Sequence, residues 1–329
     1  MMPKIPLLTA VAAALLLLGG CLSACTPTAP PPDPSTSLSS EKEEEIVFRD
    51  GLGREVHLPK HPERVAALLG SFADVWMLAG GSLCAAPDDA REDFGLDLPD
   101  AIHIGGAHSP SAERLLSAAP DLVLASASTV GHVELLDTLE AAGITVVYFN
   151  VDNFQDYLSM LELCTDLTGR KDLYQKNGLA VKEQIEAVKG DYASAEIPET
   201  HRRILLLRAS SGAVKAKGSE GTVLGEMLAD MGCINIADGA DGDSLLEDLS
   251  VEAVIRAEPR HIFVVTMGSD TEAATDSLRR MMEDNPAWGT LEALQEGRLH
   301  IMDKTLFNQK PNDRWGEAYR TLYETLIQE

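Results

Sequence analysis

The sequence predicts an α/β protein of two Rossmann-like lobes joined by a single long backbone helix, with a ligand cleft between the lobes, and three observations lead there. Ser111-Ala-Glu113, six residues, Pro120 and the apolar run Leu122-Val-Leu124 form a frame that recurs as Ser250-Val-Glu252, six residues, Pro259 and Ile262-Phe-Val-Val265. Both copies sit among apolar runs that alternate with helical patterns, the order expected of parallel sheets. Between them, Asp172 to Lys189 reads as one polar helix with a narrow apolar stripe of Leu173, Val181, Ile185 and Val188, an exposed connector packed along one side. Within each frame Ser is an N-cap, Glu lies in the first turn where the macrodipole favours negative charge, and Pro ends the helix before a buried strand. One such frame is common α/β punctuation; two at matching places indicate a duplication.

The amino terminus reads as a leader. Lys4 supplies a positive charge, Ile5 to Leu18 is an apolar stretch of signal-peptide length, and Leu22-Ser23-Ala24-Cys25 has the form of a lipoprotein cleavage site. Leu18-Gly19-Gly20-Cys21 is the alternative site. A transmembrane anchor fits less well, because the apolar run is short and Gly19-Gly20 breaks it. Cys25, or alternatively Cys21, is therefore expected to carry a lipid and hold the mature protein on the outer face of the cell membrane. A tether follows, rich in Pro, Ser and Thr and too poor in large apolar groups to pack, with the acidic run Glu41 to Glu45 at its end. The organisation is thus a leader over 1–25, a tether over 26–45, an N-terminal lobe over 46–169, the connecting helix over 170–190 and a C-terminal lobe over 191–329.

In the first lobe Ile46 to Phe48 and Glu55 to Leu58 flank Asp50-Gly51 as a small hairpin. A strand at Val65 to Leu69, a helix at Ser71 to Ala79, the first frame, a helix near Val133 to Ala142, a strand at Thr145 to Phe149 and a helix from Phe154 to Leu167 follow. The second lobe begins with Ile204 to Leu207. It continues through a Gly-rich turn, a helix at Val223 to Met231, the second frame, a helix near Asp276 to Glu283, a strand at Leu299 to Met302 and a terminal helix from Asn312 to Ile327.

Composition excludes some partners. The formal charge is −25 at pH 7, and nucleic acid binding needs a basic stripe that displaces counterions. Cys84, Cys164 and Cys233 match no metal-ligand spacing and read as small buried hydrophobes. The eight histidines are scattered with no HxxxH pair, which leaves no basis for a bare zinc or manganese site. His108 or Met267 could instead ligate a haem iron axially.

Against this acidic background, the loops expected at the cleft of the second lobe carry cations: Arg208, Lys215 and Lys217 beside Gly218-Ser-Glu-Gly221, then Lys304, Lys310 and Arg314. Singly each reads as a solvated charge, but together at strand ends they suit carboxylate or catecholate oxygens. Met267, Phe307 and Trp315 should line the same space. From the first lobe Ser71, Phe72, His108, Ser109, Ser126, Ser128, Asn150 and Asp152 all fall just past strands or at helix starts.

The chain resembles the ABC-transporter substrate-binding lipoproteins of the iron-siderophore, haem and cobalamin type. The resemblance rests on Pro62-Glu-Arg-Val65 before Gly70-Ser71, the two frames, Leu136 to Gly143, Gly225-Glu-Met-Leu228 to Gly232, Asn235-Ile236, Asn285-Pro-Ala-Trp288 through Gly297-Arg-Leu299, and Trp315 to Leu326. It implies a capture protein that hands a ferric siderophore, haem or cobalamin to an ABC permease and its ATPase, working as a monomer without a cofactor of its own. It also implies that Glu113 and Glu252, one on each lobe, dock onto permease arginines. A chelatase-like enzyme on the same architecture is the rival from another class, and a structural adhesin is a third. Against the enzyme stands the absence of GxSxG, Walker, Rossmann-glycine and metalloprotease motifs; an adhesin has no need of a cationic cleft. Changing Cys25 to Ser should abolish lipidation and release the protein from membranes, as read by mass spectrometry of the membrane fraction. If Cys21→Ser does so and Cys25→Ser does not, the cleavage site is the earlier one.

Overall fold

The computed structural model describes residues 45–238, 250–268 and 270–327. The leader, both candidate lipidation cysteines, the tether up to residue 44 and Ser269 lie outside the described residues. Apolar runs form two five-stranded sheets and one hairpin. The hairpin pairs β1 (Glu45–Arg49) antiparallel with β2 (Glu55–Pro59). Strands β3 (Val65–Ala67), β4 (Leu83–Ala86), β5 (Ile102–His103), β6 (Leu122–Ser126) and β7 (Thr145–Phe149) make a parallel sheet in the order β5-β4-β3-β6-β7. The second sheet uses β8 (Arg203–Ala209), β9 (Val214–Ala216), β10 (Ile234–Asn235), β11 (His261–Thr266) and β12 (Leu299–Met302). Its order is β10-β8-β11-β12, with β9 antiparallel on the end of β8. Strands β4, β5, β9 and β10 are two to four residues long, too short for periodicity to reveal.

The period of two along each strand sorts the core. Leu122 and Leu124 of β6 and Val147 and Phe149 of β7 face one apolar cluster, while Val123, Ala125, Val146 and Tyr148 face another. In the second sheet Ile204, Leu206, Phe263 and Val265 join the first of these clusters, and Leu205, Leu207, Ile262 and Val264 enter a third. The molecule therefore has an outer core on each side and a central one shared by both lobes. Val181, Ile185, Val188 and Tyr192 of the connecting helix and Trp315, Ala318, Tyr319 and Leu322 of the terminal helix complete the central layer.

Geometry supports the duplication. Ser111 and Ser250 cap helices Ala112–Ser117 and Val251–Ala257 with nearly identical backbone angles, each side-chain oxygen accepting an N–H three residues on. Both helices end in a left-handed residue just ahead of the proline, Ala119 (φ 44°) and Glu258 (φ 47°). The N–H after each proline then donates to the arginine that opens the neighbouring strand: Asp121 to Arg64 O at 2.9 Å, and Arg260 to Arg203 O at 2.8 Å.

The connector differs from a plain α-helix. It runs as Lys171–Tyr174, a π-helical turn Gln175–Leu179, and Ala180–Ser194. The wide turn arises because Asn177 is drawn into the first lobe. Its Nδ2 donates to Leu78 O, and its own carbonyl accepts the Tyr157 hydroxyl, both at 2.8 Å. Asn177 thereby satisfies a carbonyl at the C-terminus of helix Gly70–Leu78, and Thr168 Oγ1 satisfies the next, Ala79 O, at 2.7 Å. Along its second half the connector packs on the terminal helix Trp315–Leu326, where a Cβ at Gly316 would collide with Gln184. Two further expectations shift: the helix near Val133 to Ala142 is split into Val130–Val133 and Leu136–Ala141, and the terminal helix opens with a 3-10 turn, Asn312–Arg314. Cys84, Cys164 and Cys233 are free thiols, Cys164 buried and the others half-buried.

His132 ties the loop after β6 to the first lobe. It is fully buried; its Nδ1 accepts the Ser126 N–H at 3.1 Å, so Nε2 carries the proton and donates to Ala107 O at 2.6 Å. Burial pushes its pKa down to about 4, with His108 adding to the shift and the Ala107 carbonyl opposing it. The unfolded chain therefore takes up a proton that the folded one refuses. His132 contributes no loss above pH 6.5, and stability falls as pH drops from there, by on the order of 3 kcal/mol at pH 4. His261, held against His300 at 3.1 Å and lowered to about 3 mainly by burial, acts in the same direction. Urea unfolding between pH 7 and 4 should show this slope, and His132→Gln should flatten it; an unchanged slope removes His132 as its source.

Candidate functional site

Both sheets point the carboxyl ends of their strands at the seam between the lobes, where ligands bind in open α/β folds. Alternation along β8 puts Arg208 on the same face as Ile204 and Leu206, toward the shared layer. Its Nε is buried with no acceptor, and burial alone pulls its pKa down, so no carboxylate neutralises it. Lys310, from the segment after β12, is partly exposed and has no hydrogen-bond partner among the described residues. Burial lowers its pKa, Asp152 works against that shift and Arg208 adds to it. Arg208, Lys310 and Asp152 are thus neighbours, drawn from β8, the C-terminal segment and the loop after β7.

Lys217 follows β9 and is half-buried, and its N–H donates to Leu206 O at 2.9 Å. The loop after it is fixed by Asp238, which accepts the Ser219 N–H at 2.7 Å and the Ser219 hydroxyl at 2.6 Å. Beyond this loop the character of the seam reverses. Glu226, in helix Val223–Asp230, has its pKa raised by burial, with Asp152, Glu220 and Asp156 adding to the shift and a bond from the Gly221 N–H opposing it.

On the first lobe the rim is contiguous. Ser126 and Ser128 share a hydroxyl contact of 3.0 Å, His132 joins the Ser126 backbone to Ala107, and Gly131 lies against the His108 carbonyl, where a Cβ would clash. His108 and Ser109 are exposed, as are Ser128 and Asn150, whereas Ser126 is buried. Ser71 is buried too, and Asp89 accepts the neighbouring Gly70 N–H at 3.0 Å.

Several expected ligand residues sit elsewhere. Phe72 is 1% exposed and packs edge-on to Phe149, and Phe307 is 2% exposed; both belong to the shared core. Trp315 is also enclosed there. Arg314 is exposed but its fork is filled by Glu317, at 2.7 and 2.9 Å, which raises its pKa. Lys304 crosses to the first lobe and pairs with Asp93 at 2.6 Å. Met267 and Lys215 are exposed on the second lobe. Glu113 and Glu252 are exposed in first helical turns at the same ends of their lobes as the strand termini, and Glu252 accepts the Ser250 hydroxyl at 2.9 Å.

Asp93, Gln309, Asn312 and Asp238 were not singled out by the sequence. Asp93 receives Lys304 and the Gln309 amide, and Asn312 bonds Ser71 O and Asp74. These partners lie more than 200 residues apart, so no local pattern marks them. Two surface cavities lie away from the seam. One of about 380 Å³ is bounded by Arg54, His57 and Glu140, and one of about 320 Å³ by His201, Arg260, Glu292 and Arg298. Among the described residues no three His, Cys, Asp or Glu side chains are grouped to hold a metal ion, and no helix is long and apolar enough to cross a membrane.

Comparison with known proteins agrees with the fold. The putative ABC transporter substrate-binding lipoprotein YhfQ of Bacillus subtilis is 23% identical over 283 residues, covering 82% of this chain and 84% of that one. Staphylococcus aureus SirA, solved with staphyloferrin B, superposes with a TM-score of 0.68 at 18% identity, over 86% of this chain and 99% of its own. S. aureus IsdE, solved with heme, gives 0.67 at 14% identity, over 80% and 99%. The profile of the family described as periplasmic binding protein matches residues 65–306. With two duplicated lobes, one helical connector and a polar seam at the strand ends, this chain belongs to the periplasmic binding protein family.

Proposed function

We propose that the protein is the extracytoplasmic, lipid-anchored substrate-binding component of an ABC importer, and that it captures a ferric siderophore or related anionic iron chelate between its lobes. One observation carries the reading. Arg208 and Lys310 are placed together at the seam without acceptors, in a protein of charge −25 that has carboxylates to spare. A carboxylate or catecholate ligand supplies the missing oxygens, and a partly buried guanidinium can bind them in bidentate fashion. The rim hydroxyls of Ser109 and Ser128 add neutral donors on the opposite lobe. The relatives solved with staphyloferrin B and with heme make both ligand classes direct comparators. Binding and release need no covalent chemistry, and no enzymatic role is invoked.

Titration of the purified protein with ferric siderophores of differing charge, haem and cobalamin tests the reading. Arg208→Ala should weaken binding of the preferred anionic chelate by about 2 to 5 kcal/mol, whereas Arg314→Ala, already paired to Glu317, should change it by less than about 1 kcal/mol. Lys310→Met should likewise weaken binding of the preferred anionic chelate. Wild-type affinity in both Arg208→Ala and Lys310→Met overturns the cationic seam. A preference for haem or cobalamin over every anionic chelate overturns the ligand class.

The exposed Glu113 and Glu252 suit docking to permease arginines. Their joint replacement by Ala should leave ligand affinity unchanged and abolish uptake in cells. Loss of ligand binding in the folded double variant would move these residues to the ligand site.

A further inference from the structure

The segment after β12 belongs to the second lobe by sequence but is bonded to the first. Lys304 and Gln309 reach Asp93, and Asn312 reaches helix Gly70–Leu78. Asn312 is the most enclosed of these, 1% exposed, in the left-handed region at φ 54°, which Asn tolerates better than most residues. Its Nδ2 spends one hydrogen on Ser71 O and the other on Asp74 Oδ2, both at 2.8 Å. Its Oδ1 is buried and receives no donor. Reversing the amide would not help, because Oδ1 would then face the Ser71 carbonyl, acceptor against acceptor.

An orphaned buried acceptor on an amide that already bonds a carboxylate calls for a donor, and Asp74 can supply it. We infer that Asp74 carries a proton and closes a two-way acid–amide pair with Asn312, so that the clasp between the lobes tightens as the surroundings acidify. The proton comes from solvent and sits on the carboxyl oxygen that does not accept from Nδ2. It turns that oxygen into the donor Asn312 Oδ1 lacks.

The surroundings favour a neutral acid. Asp74 is largely enclosed, and Asp313 of the 3-10 turn adds a second negative charge. Arg314, the cation that acts on Asp74, has its fork filled by Glu317. Lys176 of the π-helical turn acts on Asp313. From helix Phe154–Thr168, Tyr157 gives its hydroxyl to Asn177 O. Burial foremost, with Asp313 adding and the Asn312 amide and Arg314 opposing, raises Asp74 to about 6. With the folded value above the unfolded one near 3.9, the added stability is complete below about pH 4 and is lost as pH rises through 6.

Three measurements on the mature chain test this. The assigned side-chain carboxyl carbon of Asp74 should titrate near pH 6 by NMR; a midpoint near 4 overturns the proposal and requires no variant. Asp74→Asn supplies a permanent amide donor, so its advantage in folding equilibrium over wild type should grow about tenfold from pH 5 to pH 7. A constant difference across that range counts against it. Hydrogen exchange at the Phe307 and Arg314 amides, corrected for intrinsic rate, should slow in wild type at pH 5 relative to pH 7 and stay level in Asp74→Asn. Wild-type exchange that ignores pH would leave Asp74 protonation without effect on the lobes.

Discussion

The apolar layer shared by the two lobes constrains everything else in this molecule. Alternate side chains of β3, β6, β7, β8 and β11 all belong to it, joined through the connector and the terminal helix into one continuous apolar cluster. Pulling the lobes apart would expose that layer at roughly 25 cal/mol per Å² of apolar surface, so large opening is strongly opposed. The proposed binding between the lobes would then draw on groups already in place, with small adjustments of side chains and loops.

The polar groups at the seam run against the rest of the design. Asp50 shows a buried charge fully matched: it is 5% exposed and takes the Leu52 and Arg54 N–H groups and the Arg54 guanidinium. Arg208 and Lys310 have no such partners, and locally unfavourable placements of this kind concentrate where a protein binds something. They also solve a long-range problem. A strongly acidic protein repels anions at a distance, so an anionic ligand is held only where fixed cations dominate over the few ångströms that matter.

How much of this the sequence disclosed follows from distance along the chain. The two frames, the long strands and the caps at Ser111 and Ser250 are local patterns, and the structure places them within a residue or two of where the sequence does. The connector reads locally as helix, but its π-helical turn depends on Leu78 and Tyr157, and its true end at Ser194 lies beyond the apolar stripe. At the seam the sequence reveals the gathering of cations without their pairing. Arg314 and Arg208 look alike as letters, yet one is paired three residues away and the other keeps a buried Nε without an acceptor. Phe72 and Phe307 follow a helix start and a strand, as ligand residues do, but each is the large side chain that fills the layer beneath. The contacts of Asn312 and Asp93 join opposite ends of the chain and leave no trace in any short window.

The hairpin has a mechanical consequence. Glu45 pairs with Pro59 at its open end, while Gly51 near its tip donates to Tyr148 O and Arg54 to Val146 O on the edge strand β7. A load applied to the chain ahead of Glu45 therefore reaches the Glu45–Pro59 pair first and peels β1 from β2 one rung at a time, a compliant geometry compared with shearing all rungs at once. The tip stays held to β7 by the Gly51 N–H and the Arg54 guanidinium while this happens. Tugging or drag on the chain would be absorbed by this short zipper, leaving the seam between the lobes undisturbed.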